Sequence, residues 1–519
     1  MNIHLRYKHP KTIYMRNIVI IKRLMAICLL MLSVLTCFAQ MSPKDSVKAS
    51  KLFNKSLKIY NKDRTKAVKY MIKSAELGNN TSMLSLIYEN SFSDKERAYW
   101  SKRYANKTNS PLYIKYVAEC HYSGIEGFEL NKDSAYYYML KQAERGDKYA
   151  QYKYGIWLYR DEQKEAAHKW ILCAANSDYA DAQTTIGLMY QEGEGVGVNL
   201  EKGHQWIEKG ALNGDSAAYY YLGQNLYYGT GCEKNRQEAF KWLSKYTENV
   251  NAKNRGEASL LLGLMYESGD GCSKDLNKAL KLLIYSANCG VIKAQKIVGS
   301  CYYLGKGVDM DREEALKWYM KAAKQGDAGT QCITGELLFA GVGSVYPKYT
   351  EAVEWFKKSA KQGYAAAYTK LGECFLSGKG VTEDKEQAVA YFKKASDNDP
   401  VALYKLGICY CSGQGVEQNY EEAVKCFKNA AERGVSEAQY NLAVCYYNGE
   451  GVERDYKKAF DLYFVVAESG NADAQANLAE MFEKGKGTKR DLDKALFWYN
   501  KAANQGNFKA KLAINRFND

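Results

Sequence analysis

Nine Gly-x-Gly tripeptides are the first residues in this chain whose type and spacing could do chemistry. They stand at Gly193/Gly195, Gly229/Gly231, Gly269/Gly271, Gly305/Gly307, Gly341/Gly343, Gly378/Gly380, Gly413/Gly415, Gly449/Gly451 and Gly485/Gly487. A glycine loop that cradles phosphate follows a strand, opens a helix and usually ends in Lys-Ser or Lys-Thr. None of these carries that ending, and the residues before each read as helix, so the loops are turns rather than nucleotide sites. Histidine is scarce: His4, His9, His121, His168 and His204. There is no His-x-x-x-His and no Cys-x-x-Cys, and Cys409 and Cys411 point to different faces of one helix, so no metal site is indicated. Gly-x-Ser-x-Gly and Ser-x-x-Lys are both absent, which removes the usual settings of a serine nucleophile. No pattern places two carboxylates in a cleft. Catalytic, cofactor-binding and metal-binding residues are therefore all left unassigned. The surplus is tyrosine, 44 of 519 residues.

The elements that position these residues repeat. The steps between first glycines are 36, 40, 36, 36, 37, 35, 36 and 36 residues, and self-similarity at that period marks a stacked array. Six residues before each first glycine is Gly or Ala, from Gly187, Gly223 and Gly263 through Gly299, Gly335, Gly372 and Gly407 to Ala443 and Ala479. Three residues further on is a large side chain, such as Tyr190, Tyr266, Phe375 or Tyr446. With an Ala five residues earlier, these groups share one face of a first helix, helix A. A second helix, helix B, follows the loop, marked by pairs such as Ala315/Trp318, Ala352/Trp355 and Ala495/Trp498, and stops at a glycine such as Gly326, Gly434 or Gly506. The predicted fold is all-α: an α-solenoid of about a dozen helix–loop–helix repeats of about 36 residues, forming a superhelix.

The segment AQYNLAVCYYNGEGVERDYKKAFDLYFVVAESGNADAQ makes the pattern specific. It resembles the Sel-one-like repeat, a relative of the tetratricopeptide repeat, in the secreted bacterial type. The resemblance is strong over residues 131–506, which read as the repeat array. Residues 40–130 match less well and read as divergent N-terminal helical repeats, with Gly124 and Gly127 standing in for the loop glycines. Residues 507–519 read as a C-terminal capping helix. The family implies a protein-binding scaffold rather than an enzyme. Some secreted relatives are linked to β-lactam binding, so an envelope enzyme acting on peptidoglycan or β-lactams stands as one alternative, and a structural spacer without a ligand as another. Some secreted relatives also carry a disulfide within each repeat, and the regular cysteine pair this needs is absent here.

Residues 1–39 read as a secretory signal peptide. Arg16, Lys22 and Arg23 precede the apolar run Leu24–Leu35, and Cys37-Phe38-Ala39 supplies a cleavage site. Met15 is the alternative start, and a lipid anchor on Cys37 the alternative fate. The run is short for a membrane span, and no other stretch could cross a bilayer. The protein is thus expected to be periplasmic, in the cell envelope or secreted. Without the leader's six Lys/Arg, 67 basic residues face 59 acidic ones, a net charge near +8 scattered along helices, so nucleic acid is not a predicted partner. Twelve cysteines remain. Cys120, Cys301, Cys374, Cys409 and Cys445 share one helix A register and read as small buried hydrophobes, because equivalent positions in adjacent repeats are too far apart to bridge.

In related helix pairs, helix A lines the inner face. Positions −3, +1 and +4 from the small residue would then face a ligand. They hold Tyr152, Tyr159, Tyr220, Tyr227, Tyr303, Tyr404, Tyr440 and Tyr447, with Glu267, Glu336, Glu373 and Glu480 between them. Tyrosine combines large contact area, low entropy loss and a hydroxyl, which suits a binding surface. Tyr220, Tyr227, Tyr303, Tyr404, Tyr440 and Tyr447 are the predicted partner-binding residues, on an inner face between about residues 215 and 450. No cofactor is called for, and the partner is a protein or peptide.

Overall fold

Glycine pairs, acidic caps and small residues build one helix pair again and again in the computed structural model. It describes residues 42–344 and 346–518; the predicted leader, with Met15, Cys37 and Ala39, lies outside them. The described residues form 27 helices, from Pro43–Ile59 to Phe508–Asn518, and no strand. Most are 13 residues long, as in the pair Ser436–Asn448 and Tyr456–Glu468. The chain divides into two units, one ending at Tyr246 and one beginning at Thr247. Within each, a helix packs mainly on its sequence neighbours, as expected of a solenoid.

The loop after Ser436–Asn448 shows why two glycines recur. Gly449 closes the helix in the left-handed conformation, φ 80°, and its N–H donates to the Cys445 carbonyl. Gly451 also has positive φ, and a Cβ there would sit 2.1 Å from the Tyr420 carbonyl oxygen of the preceding repeat. The first glycine makes the turn and the second permits close approach between repeats. The chain then enters helix B at Asp455, whose carboxylate accepts the Lys458 N–H at 2.9 Å and whose own N–H donates to the Tyr446 carbonyl. Asp275, Asp311, Asp384, Asn419 and Asp491 cap their helices in the same way. The loop at Gly341 departs from this form, with ψ 142°, and its Ser344 N–H is held by Glu313.

The small residue of helix A is a notch for helix B of its own repeat. A Cβ on Gly335, Gly372 or Gly407 would lie 2.5, 2.5 and 2.6 Å from the rings of Phe356, Phe392 and Phe427. Tyr319 fills the place beside Gly299. The ring in the notch thus comes from helix B, one residue beyond the Trp318 and Trp355 markers, which are also buried. A second device was not expected from the sequence. Four residues before the small position, Gln183, Gln295, Gln331 and Gln475 are buried, and each donates to a helix B carbonyl eight residues earlier. Each side-chain carbonyl accepts from an amide at the end of the next helix B: Asn213, Gln325, Gln362 and Gln505.

Helix pairing continues through the divergent N-terminal stretch, where Asn80–Ile87 is only eight residues long. At the other end the single helix Phe508–Asn518 packs Ala510 and Ala513 into the cluster that holds Trp498 and Tyr499. No described helix is long and apolar enough to cross a membrane.

Candidate partner-binding face

Helix A of one repeat lies against helix A of the next at Ala180–Glu192 with Ser216–Tyr228, and at Ala365–Ser377 with Pro400–Ser412. Side chains on this face therefore bridge repeats. Four of the six predicted rings lie in the unit that begins at Thr247, and all four are half-buried. Tyr303 lies beneath the Arg312 guanidinium, 5.2 Å from its centroid. Tyr404 tilts over Phe427, with ring centroids 6.2 Å apart. Tyr440 meets Tyr463 edge-on and accepts a 3.1 Å hydrogen bond from the Asn477 amide; burial pushes its phenol up. Tyr447 accepts a 2.8 Å hydrogen bond from the Lys486 ammonium and packs edge-on against Tyr456.

The rings of the other unit differ. Tyr227 is half-buried, with the Arg236 guanidinium 3.7 Å from its centroid. Tyr220 is only 6% exposed, tilted against Tyr246 with ring centroids 5.5 Å apart, and its hydroxyl accepts from the Gln224 amide. It is a core residue and not an open binding ring. Position −3 points toward helix B, and a partner large enough to cover the ring closes it off. Tyr152 keeps a bond across repeats, its hydroxyl 3.3 Å from that of Thr185.

The carboxylates between the rings are already neutralised. Glu267 pairs with Lys306 at 2.5 Å. Glu336 pairs with Lys370, and Glu373 with both Lys370 and Lys405, at 3.0–3.4 Å. Glu480 takes Lys484 and Lys509, which hold its carboxyl below the usual range against the opposing effect of burial. Helix spacing set these acids between the tyrosines; the structure makes them rungs of a ladder between repeats. The lysines two residues before a small position, Lys370 and Lys405, were the signal that could have found it. No group of three or more His, Cys, Asp or Glu among the described residues is placed to hold a metal.

The Sel1 repeat pattern matches this chain twelve times, at residues 58–79, 115–147, 148–179, 180–215, 216–246, 256–291, 292–327, 330–364, 365–399, 400–435, 436–471 and 472–507. The chain belongs to the Sel1 repeat family. Sel1 repeat solenoids are typically non-enzymatic scaffolds for protein interaction. The structure resembles that of a protective antigen present in uropathogenic Escherichia coli strains, described as displaying an SLR fold. The TM-score is 0.73 and the identity 27%, over 80% of this chain and 89% of that one. A Sel1 repeat protein from Oxalobacter formigenes is 29% identical, over 64% of this chain and 93% of its own, with a TM-score of 0.48. The chitin synthase regulator SKT5 of Saccharomyces cerevisiae is 29% identical over 108 residues, 20% of this chain. The match spans 16% of the length of that regulator.

Proposed function

We propose that this Sel1 repeat protein is an exported scaffold that binds a protein or peptide along the helix A face of the unit from Thr247 onward. One observation carries the reading. On that face Tyr303, Tyr404, Tyr440 and Tyr447 stay half-open, while the carboxylates beside them are held by lysines. Half-open rings with hydroxyls can anchor a peptide by stacking and hydrogen bonding. Carboxylates held in ion pairs are poorly placed to move protons, which argues for binding over hydrolysis. The family's typical role and the likeness to a bacterial antigen support the same reading. Export rests on the sequence of residues 1–39.

The test for binding is capture by the purified array from an envelope extract, compared with capture by Tyr404→Ala and Tyr447→Ala proteins of equal melting temperature. Loss of the captured species in both variants supports the reading. For export, N-terminal sequencing of the cell's own protein should find a start at or just after Gln40. A lipid-bearing Cys37 would establish the anchored form instead. An intact leader on cytoplasmic protein would overturn export.

A further inference from the structure

The positive charge of this chain is concentrated and not scattered. Residues 42–77, which form the helices Pro43–Ile59 and Arg64–Glu76, carry ten Lys/Arg and three Asp/Glu. Residues 78–519 carry 57 and 56, so nearly all of the net charge outside the leader sits on one helix pair. Its lysines are ordered. Lys44, Lys48, Lys51, Lys55 and Lys58 are spaced by four and three residues, which puts them on one face of the first helix. Lys66, Lys69 and Lys73 form the same kind of stripe on the second. All eight are exposed. The stripes meet at Tyr70, which shares its helix face with Lys66 and Lys73, while the Lys55 ammonium of the first helix lies 4.7 Å from its ring centroid. Lys55 holds the Tyr70 phenol below its ordinary value against the effect of burial, and Lys66 and Lys73 add to that.

These lysines lack the acids that answer lysines elsewhere. In later repeats an exposed helix B lysine pairs with a glutamate three residues earlier, as Lys317 with Glu314, Lys357 with Glu354 and Lys425 with Glu422. In the first helix pair Arg64 is held by Glu89, but among the described residues none of the eight lysines makes an ion pair. Asp63 is committed to capping its helix through the Lys66 N–H. Like charges three and four residues apart destabilise a helix, so the stripes work against folding and are relieved by an anionic surface. The chemistry of that surface follows from the residue types. Lysine is a point charge suited to a diffuse layer of anions, whereas reading of nucleic acid favours arginine forks and open aromatic platforms. Here the single arginine is taken, and Lys55 covers Tyr70. Val47 and Leu57 of the first helix are 55% and 54% exposed, which suits a headgroup layer with apolar chains beneath it.

We propose that the helix pair Pro43–Glu76 docks on the surface of an anionic lipid bilayer through its two lysine stripes. The contact is peripheral: the ammonium groups sit among phosphate headgroups, and no helix crosses the membrane. Attraction of this kind grows with each lysine near the surface and is screened by salt. The inference does not depend on the binding of a protein or peptide by the helix A face.

The experiment is co-sedimentation of the protein, as recovered in the soluble cell extract, with vesicles of phosphatidylcholine alone or mixed with phosphatidylglycerol. The wild type should pellet with the mixed vesicles, stay in solution with the neutral ones and be released as salt is raised. Lys51→Gln, Lys58→Gln, Lys69→Gln together should weaken that binding on the order of a hundredfold, about fivefold for each lysine. A matched triple on other exposed lysines, Lys324→Gln, Lys361→Gln, Lys394→Gln, removes the same charge and should bind as the wild type does. All three proteins are compared at equal melting temperature. Three results would overturn the proposal: equal pelleting with both kinds of vesicle, equal loss in the two triples, or no pelleting with the mixed vesicles, including the case in which the protein holds duplex DNA or poly-glutamate at the same salt. The wild-type comparison of vesicles and salt stands without any variant, so a substitution that fails to fold leaves the test intact.

Discussion

Tyr447 and Tyr220 are the same residue type on the same kind of helix, and their surroundings give them different roles. Tyr447 keeps part of its ring open and its hydroxyl on Lys486, whereas Tyr220 is sealed by Tyr246. Tyr447→Ala should therefore weaken partner capture by about 2 kcal/mol, with little change in melting temperature. Tyr220→Ala should cost about 3 kcal/mol of stability, because it opens a cavity. Parallel capture and melting curves on both variants check the pair. Half-buried His168 and buried His204 give a pH prediction. Burial lowers the His168 and His204 side chains below their ordinary value, with Glu208 opposing the shift at His204. The unfolded chain then binds protons that the folded one refuses. The stability these neutral rings contribute is complete above about pH 6.5 and is lost as pH falls through that value toward the lowered folded one. Leu280 and Leu316 hold this register in later repeats, so His204→Leu fits the site. Urea midpoints at about pH 7.5 and 5.5 should fall less for the variant than for the wild type. An equal fall would assign the acid sensitivity elsewhere.

Among the elements, the helix pair was legible because its determinants are local. Turn glycines, acidic caps and small residues declare themselves by spacing alone. What spacing could not give was the partner of each notch. Spacing marked helix B by Trp355 without assigning it to a notch, and the ring that fills the Gly335 notch is its neighbour Phe356, since the helix B rotation is set by packing. The glutamine ladder was equally hidden, because Gln331 looks like any polar helix residue until the Ala323 carbonyl and the Gln362 amide are seen beside it. Gly335→Leu and Gly407→Leu should overpack the notch and cost about 1–3 kcal/mol. Trp318→Ala should leave a cavity costing about 3–5 kcal/mol. Gln331→Ala removes a buried bond to the Ala323 carbonyl, which keeps the Gly326 N–H, and the bond from the Gln362 amide, and should cost about 0.5–1.5 kcal/mol. Denaturant unfolding of each variant gives these values, and an unchanged curve for either glycine variant would refute the notch assignment.

For the whole molecule, the array's stability comes from neighbouring helices, and the proposed binding rests on what the repeats leave uncovered. Residue spacing identified the helix pairs but not which side chains stay open. It listed tyrosines on the helix A face but could not see that Tyr220 is buried or that lysines hold the glutamates, because both depend on contacts between helices distant in sequence. The central claim is that half-open rings on this face hold a protein or peptide. The most direct measurement is the amount of the dominant envelope species retained by immobilised wild-type protein and by the Tyr404→Ala, Tyr447→Ala double variant, each checked for helical content and melting temperature. The account predicts a clear loss of retention, on the order of tenfold or more for about 2 kcal/mol per ring, at matched stability. Equal retention by the two proteins would contradict it.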